Sequence, residues 1–115
     1  MGKRDPLLLL DDILESVQKI EQYIKGLTES QFASNFEKQN AVFRRFEIIG
    51  EAIKNLSPDI RKKHPHIPWK DIAGLRDILI HNYFGLFPGR IWKIILNDLP
   101  AFKRQVEEIR NTLSQ

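Results

Sequence analysis

Apolar residues recur at steps of three and four along almost the whole chain, and no segment alternates apolar with polar at a period of two. Steps of three and four gather side chains on one face of an α-helix, whereas a half-buried strand needs the period of two. The first stripe runs Leu10, Ile13, Leu14, Val17, Ile20, Ile24 and Leu27, and the second Val42, Phe46, Ile49, Ile53 and Leu56. A third follows Trp69 through Ile72, Leu75, Ile78 and Leu79. The last holds Ile91, Ile94, Ile95, Leu99, Phe102, Val106, Ile109 and Leu113. Principal helices joined by short connectors predict an all-α fold, an antiparallel bundle of four to five helices. The chain has 115 residues. That length suits a single domain, 1–115, able to bury about two thirds of its open-chain surface.

Boundary signals support the same division. Asp5-Pro6 offers a capping carboxylate followed by proline at the first helical position, and Gly26 lies where the first helix should stop. Thr28-Glu29-Ser30-Gln31 has the form of a capping box, and Ser34-Asn35 ends that short element. A second long helix is expected from about Glu37 to Leu56, with Gly50 inside it where another helix comes close. Ser57-Pro58 starts a short helix that must stop before Pro65. His64-Pro65-His66-Ile67-Pro68 is too rich in proline for regular structure, and a helix follows from Trp69 to the 84–89 glycine- and proline-containing segment. Pro100 should kink or divide the last helical region, 90–113.

Several function classes are excluded by composition. Cysteine is absent, so there is no disulfide framework, zinc–thiolate site or cysteine nucleophile. A cysteine-free chain suits a reducing cytoplasm. The longest apolar run, Leu7–Leu10, and shorter ones such as Ile78–Ile80 fall far below the roughly 20 residues of a membrane span. The basic start is cut off by Asp11 and Asp12, so a signal peptide is not expected.

Charge is unevenly placed. Residues 1–53 carry seven Lys/Arg against nine Asp/Glu, whereas 54–70 carry five Lys/Arg against one Asp. The basic segment includes Arg61, Lys62, Lys63 and Lys70, which are candidate contacts to a polyanion such as RNA. On charge alone, a solvated basic connector fits equally well.

The histidines are His64, His66 and His81. His64 and His66 flank a proline at a spacing that matches no standard zinc motif. His81 closes the run Arg76-Asp77-Ile78-Leu79-Ile80-His81 and precedes Tyr83. On a helix, Arg76 and Tyr83 share a face, and Asp77 and His81 are surface neighbours four positions apart. Arg76 and His81 are separated by about 140° and about 7.5 Å along the axis. A cation for a phosphate, a proton-transfer group, a carboxylate and a phenol make up a kit for phosphoryl transfer without a metal or other cofactor. A histidine that merely caps the end of its helix remains an open alternative.

Arg76-x4-His81-x-Tyr83 resembles the signature of HEPN domains of the HepT type, ribonuclease toxins of type II toxin–antitoxin pairs. Phe46-Glu47-Ile48-Ile49-Gly50-Glu51-Ala52 resembles a helix of that family. Ile67-Pro68-Trp69, Tyr83-Phe84, Ile91-Trp92 and Leu99-Pro100 follow in its order. The position after the arginine, often asparagine in that family, is Asp77 here. The resemblance implies a helical bundle that forms a two-fold homodimer, with the motif helices lining a shared cleft. It implies a metal-independent endoribonuclease that cleaves RNA by attack of the 2′-hydroxyl. Arg76 and His81 would be the catalytic pair, supported by Asp77. The implied partner is an MntA-type minimal nucleotidyltransferase antitoxin, which adenylylates (AMPylates) Tyr83. The alternative within the same resemblance is a non-catalytic nucleotide- or partner-binding accessory subunit of a nucleotidyltransferase.

Overall fold

The computed structural model describes residues 5–81 and 88–115, with backbone alone for residues 78–81 and 88. The helices are α1 (Pro6–Ile24), α2 (Glu29–Ala33), α3 (Phe36–Asn55), α4 (Pro58–Lys63), α5 (Trp69–His81), α6 (Pro88–Lys93) and α7 (Leu99–Leu113). A π-helical turn, Ile94–Asp98, joins α6 to α7. The fold is all-α, with no strand among the described residues. None of the described helices is long and apolar enough to cross a membrane.

The helix starts follow the local chemistry. The Asp5 carboxylate accepts from the Leu7 N–H at 2.8 Å, and Pro6 opens α1. Thr28 and Gln31 form a reciprocal capping box, at 3.1 Å and 2.9 Å. Asn35 caps α3 through the Lys38 N–H at 3.0 Å, and Ser57 caps α4 through Ile60 N–H at 3.3 Å. Each cap satisfies a first-turn N–H that has no partner within its own helix. Beyond the end of α1, Gly26 takes a φ of +81°, a conformation that a side chain disfavours.

Packing uses the expected stripes. α3 lies between α1 and α5, and α1 also packs against α7. Leu10, Ile13, Val17 and Ile20 of α1 meet Val42, Phe46, Ile49 and Ile53 of α3 in the core. Leu9 and Ser16 of α1 are buried as well, so the covered face is wider than the sequence stripe. The Gln39 amide donates to the Phe32 and Ala33 carbonyls at 2.8 and 3.0 Å, which closes the end of α2 onto α3. The Phe32 ring then sits 5.4 Å from that of Trp92, docking α2 on α6. Charges tie α7 to α1. Lys103 pairs with Glu21 at 3.0 Å, and Arg110 donates to Asp11. The hydrogen bond to Asp11, and then its charge, raise the Arg110 pKa above the ordinary guanidinium value.

Pro100 follows a π turn that carries α6 into α7 without a break. A proline ring crowds the carbonyl four residues earlier, here that of Leu96, and a wider turn makes room. Ile91, Ile95 and Leu99 follow at two successive steps of four, and all are buried. Each step of four advances an α-helix by about 40°, and the longer π loop takes up the drift. Two residues depart from the expected inward face. Ile94 is only partly buried, and Leu113 is 42% exposed, at the final turn where nothing packs over it.

Candidate active site and nucleic-acid groove

The site is built on the contact between α3 and α5. Gly50 lies buried within α3, and a Cβ placed there would stand 3.4 Å from the Ala73 carbonyl oxygen and 3.5 Å from the Arg76 Cβ. The two helices therefore approach closely at Gly50, as its position within α3 suggested. At these distances a methyl group would make ordinary van der Waals contact. Ile72 and Leu75 anchor α5 in the core. Arg76, next in sequence, falls half-buried at the rim, and Asp77 is exposed.

Arg76 lines a groove of about 860 Å³. Its cations come from four helices: Lys54 of α3, Arg61 of α4, Lys70 and Arg76 of α5, and Arg90 of α6. Carboxylates share the walls, from Glu51, Asp71, Asp77 and Asp98. None of the five cations is in an ion pair among the described residues. Arg61 Nε is shielded from solvent and has no hydrogen-bond partner there. The groove floor includes Trp69, which is 6% exposed. Its indole N–H donates to the His64 carbonyl at 3.1 Å, and its ring meets Phe102 edge-on at 6.0 Å. Arg76 also borders a second hollow, with Arg44, Glu47 and Glu51.

The sequence candidates separate accordingly. Arg61, Lys70, Arg76 and Asp77 come together at the groove. Lys62 and Lys63 are exposed on the last turn of α4 and do not line it; there their charges favour the negative end of the helix dipole. His81 lies on α5, so the backbone places it five positions on from Arg76, about 140° around and about 7.5 Å along the axis. The His81 side chain, Tyr83 and Phe84 lie outside the described residues. Lys54 and Arg90 are groove residues that sequence reasoning missed. Lys54 and Arg90 stand out in the sequence only as members of basic stretches, 54–70 and 86–104, and no spacing rule links them. Leu75 is 5% exposed within this one chain.

Comparison with known proteins decides the family. The family model described as "Ribonuclease HepT-like" matches residues 13–109, a span that contains the four helices lining the groove and the Arg76-to-His81 segment. The chain belongs to the HepT-like ribonuclease family. A Thermococcus cleftensis protein named "Probable ribonuclease HepT" is 40% identical over 108 residues, covering 94% of this chain and 98% of that protein. A Methanocaldococcus jannaschii protein named "Putative RNase" is 44% identical over 107 residues, covering 93% of this chain and 98% of its own length. A second protein of that archaeon, "Gamma-glutamylcyclotransferase and putative RNase", is 45% identical over 113 residues. That alignment takes in 98% of this chain and 51% of the relative, so the HepT-like chain spans about half the length of that protein. No solved structure gives a significant match. Membership agrees with the enzyme class expected from the motif, an endoribonuclease.

Proposed function

We propose that this HepT-like chain is a single-domain, metal-independent endoribonuclease, the toxin half of a cytoplasmic type II toxin–antitoxin pair. The reading is carried by one observation. The residues that make up the family's motif, Arg76 and His81, sit on α5, one of the helices that wall the cation-lined groove. In the chemistry that follows, His81 removes the proton from a ribose 2′-hydroxyl. The 2′-oxygen attacks the adjacent phosphorus, and the P–O5′ bond breaks. The leaving 5′-oxygen takes up a proton, giving a 2′,3′-cyclic phosphate and a 5′-hydroxyl end. Arg76 stabilises the charge that gathers on the phosphorane oxygens. Asp77, four positions before His81, orients the imidazole. The need for a 2′-hydroxyl selects RNA over DNA.

Control belongs to the same reading. A minimal nucleotidyltransferase antitoxin adenylylates Tyr83, which adds about one negative charge and the bulk of a nucleotide seven positions after Arg76 in the sequence. The homodimer brings two copies of the motif helix to one cleft. The deciding experiment incubates purified protein with total cellular RNA, with and without chelator, beside His81→Ala. Cleavage by the parent and not by the variant, unaffected by chelator, is the expected result. RNA binding with no cleavage by the parent would move the chain to the accessory-subunit role. Intact-mass analysis after co-expression with the antitoxin tests control: the adenylyl mass should appear on the parent and disappear in Tyr83→Phe.

A further inference from the structure

We infer that Lys54, Arg61 and Arg90 form a phosphate-binding track that leads a single RNA strand along the groove to Arg76. The inference rests on the ribonuclease reading and adds the route of the substrate to it.

The three cations lie on α3, α4 and α6 and converge on one concave wall system with Arg76. Elsewhere on the molecule, long-range cation–carboxylate pairs hold helices together, as Lys103–Glu21 and Arg110–Asp11 do. In the groove, Lys54, Arg61 and Arg90 have no ion-pair partner among the described residues, although carboxylates line the same walls. Arg61 carries a further deficit. Its Nε is shielded without an acceptor, and an anionic oxygen drawn into the groove would relieve it.

The shape of the site selects the form of RNA. A duplex displays its phosphates on a wide convex cylinder, whereas these cations face a concavity of about 860 Å³ from several sides. A single strand fits such a cleft and can pass its phosphates from one cation to the next. The interspersed Glu51, Asp71, Asp77 and Asp98 make the contacts discrete, since a phosphate is repelled between them. Trp69 is buried against Phe102 and offers no free ring for a base. Recognition along this track therefore falls on the backbone and carries little base preference.

The test uses the full chain and a labelled 2′-O-methyl oligoribonucleotide, which cannot be cleaved, so binding is read apart from chemistry. Affinity is measured across a salt series for the parent, for the triple variant Lys54→Gln/Arg61→Gln/Arg90→Gln, and for the charge-matched variant Lys19→Gln/Lys25→Gln/Arg104→Gln outside the groove. Each lost single-strand phosphate contact flattens the slope of log affinity against log salt by about 0.7, so the triple variant should lose about 2. The outside variant should keep the parent slope. Lys54→Gln/Arg90→Gln, at two exposed positions, should lose about 1.4 and guards against any disturbance of the half-buried Arg61. A parent slope retained in the double and triple variants would overturn the track. So would an equal loss in Lys62→Gln/Lys63→Gln or in the outside variant, and so would a duplex of the same length that competes as well as the single strand. Cleavage assayed in parallel separates the two readings. A triple variant that binds and cuts like the parent ends the track and leaves the ribonuclease standing. A parent that binds with the expected slope but cuts nothing does the reverse.

Discussion

Charge is used differently in the α1/α3/α7 frame and in the α3/α5/α6 groove. In the frame, Lys103 meets Glu21, Arg110 meets Asp11 and Arg44 meets Glu47, above a core in which Phe46, Val17 and Val106 are almost fully covered. In the groove, five cations face four carboxylates and no pair forms among the described residues. Those three frame pairs are made within the chain. The frame should therefore answer to substitutions in stability and the groove in activity, and the two readouts should separate.

The sharpest test of that division is at the motif. Arg76→Ala and His81→Ala should each lower the rate of RNA cleavage by about 10²- to 10⁴-fold, the ordinary range for an acid–base or charge-stabilising group. The melting temperature should barely move. A large fall in melting temperature for Arg76→Ala would place this arginine with the frame instead.

Next in size is a pure frame change. Phe46 is 0% exposed between α1 and α3, and Phe46→Ala should cost about 3–5 kcal/mol in denaturant unfolding. At temperatures where the variant stays folded, its affinity for the uncleavable oligonucleotide should match the parent's. An affinity that falls in step with stability would show that frame and groove are one cooperative unit.

Gly50 lies where the two regions touch. The free space there accepts a methyl group, so Gly50→Ala should stabilise the protein by up to about 1 kcal/mol, the helix-propensity difference, and leave cleavage nearly unchanged. Gly50→Leu must instead push α5 away and carry Arg76 with it, lowering cleavage more than stability alone explains. Destabilisation by the alanine would mean that the helices sit closer than 3.4 Å allows.

The smallest effect belongs to an exposed frame pair. Lys103→Met should cost about 0.2–1 kcal/mol, because both partners are partly solvated and their attraction is screened. Cleavage should not change, and raising the salt concentration should shrink the stability difference. A loss of oligonucleotide affinity in this variant would extend the RNA path beyond the groove.

Most of the fold was legible because its signals are local. The caps at Asp5, Thr28, Asn35 and Ser57 each bond a backbone N–H two or three residues ahead, and the apolar stripes mark which side of each helix is covered. The motif was legible in the same way, since Arg76, Asp77 and His81 are placed by the turn of a single helix. The inward face of the last helix was legible only up to its end, where Leu113 has the right phase but no neighbour.

The sequence by itself determined the all-α class, the helix starts and stops it marks among the described residues to within a residue or two, and the family, since each depends on residues a few positions apart or on their order along the chain. Only the tertiary structure decided that Lys54, Arg61 and Arg90 share a groove with Arg76 while Lys62 and Lys63 turn away from it. It also decided that Pro100 is accommodated by a π turn and not by a break, and that Lys103 finds Glu21 across 82 positions. The reason is physical. A hydrogen bond within one helical turn is fixed by the residues that make it, whereas convergence of distant side chains depends on how far α3, α5 and α6 approach and rotate when their stripes are buried together. A close contact such as the one at Gly50 sets that geometry, and spacing along the chain does not encode it.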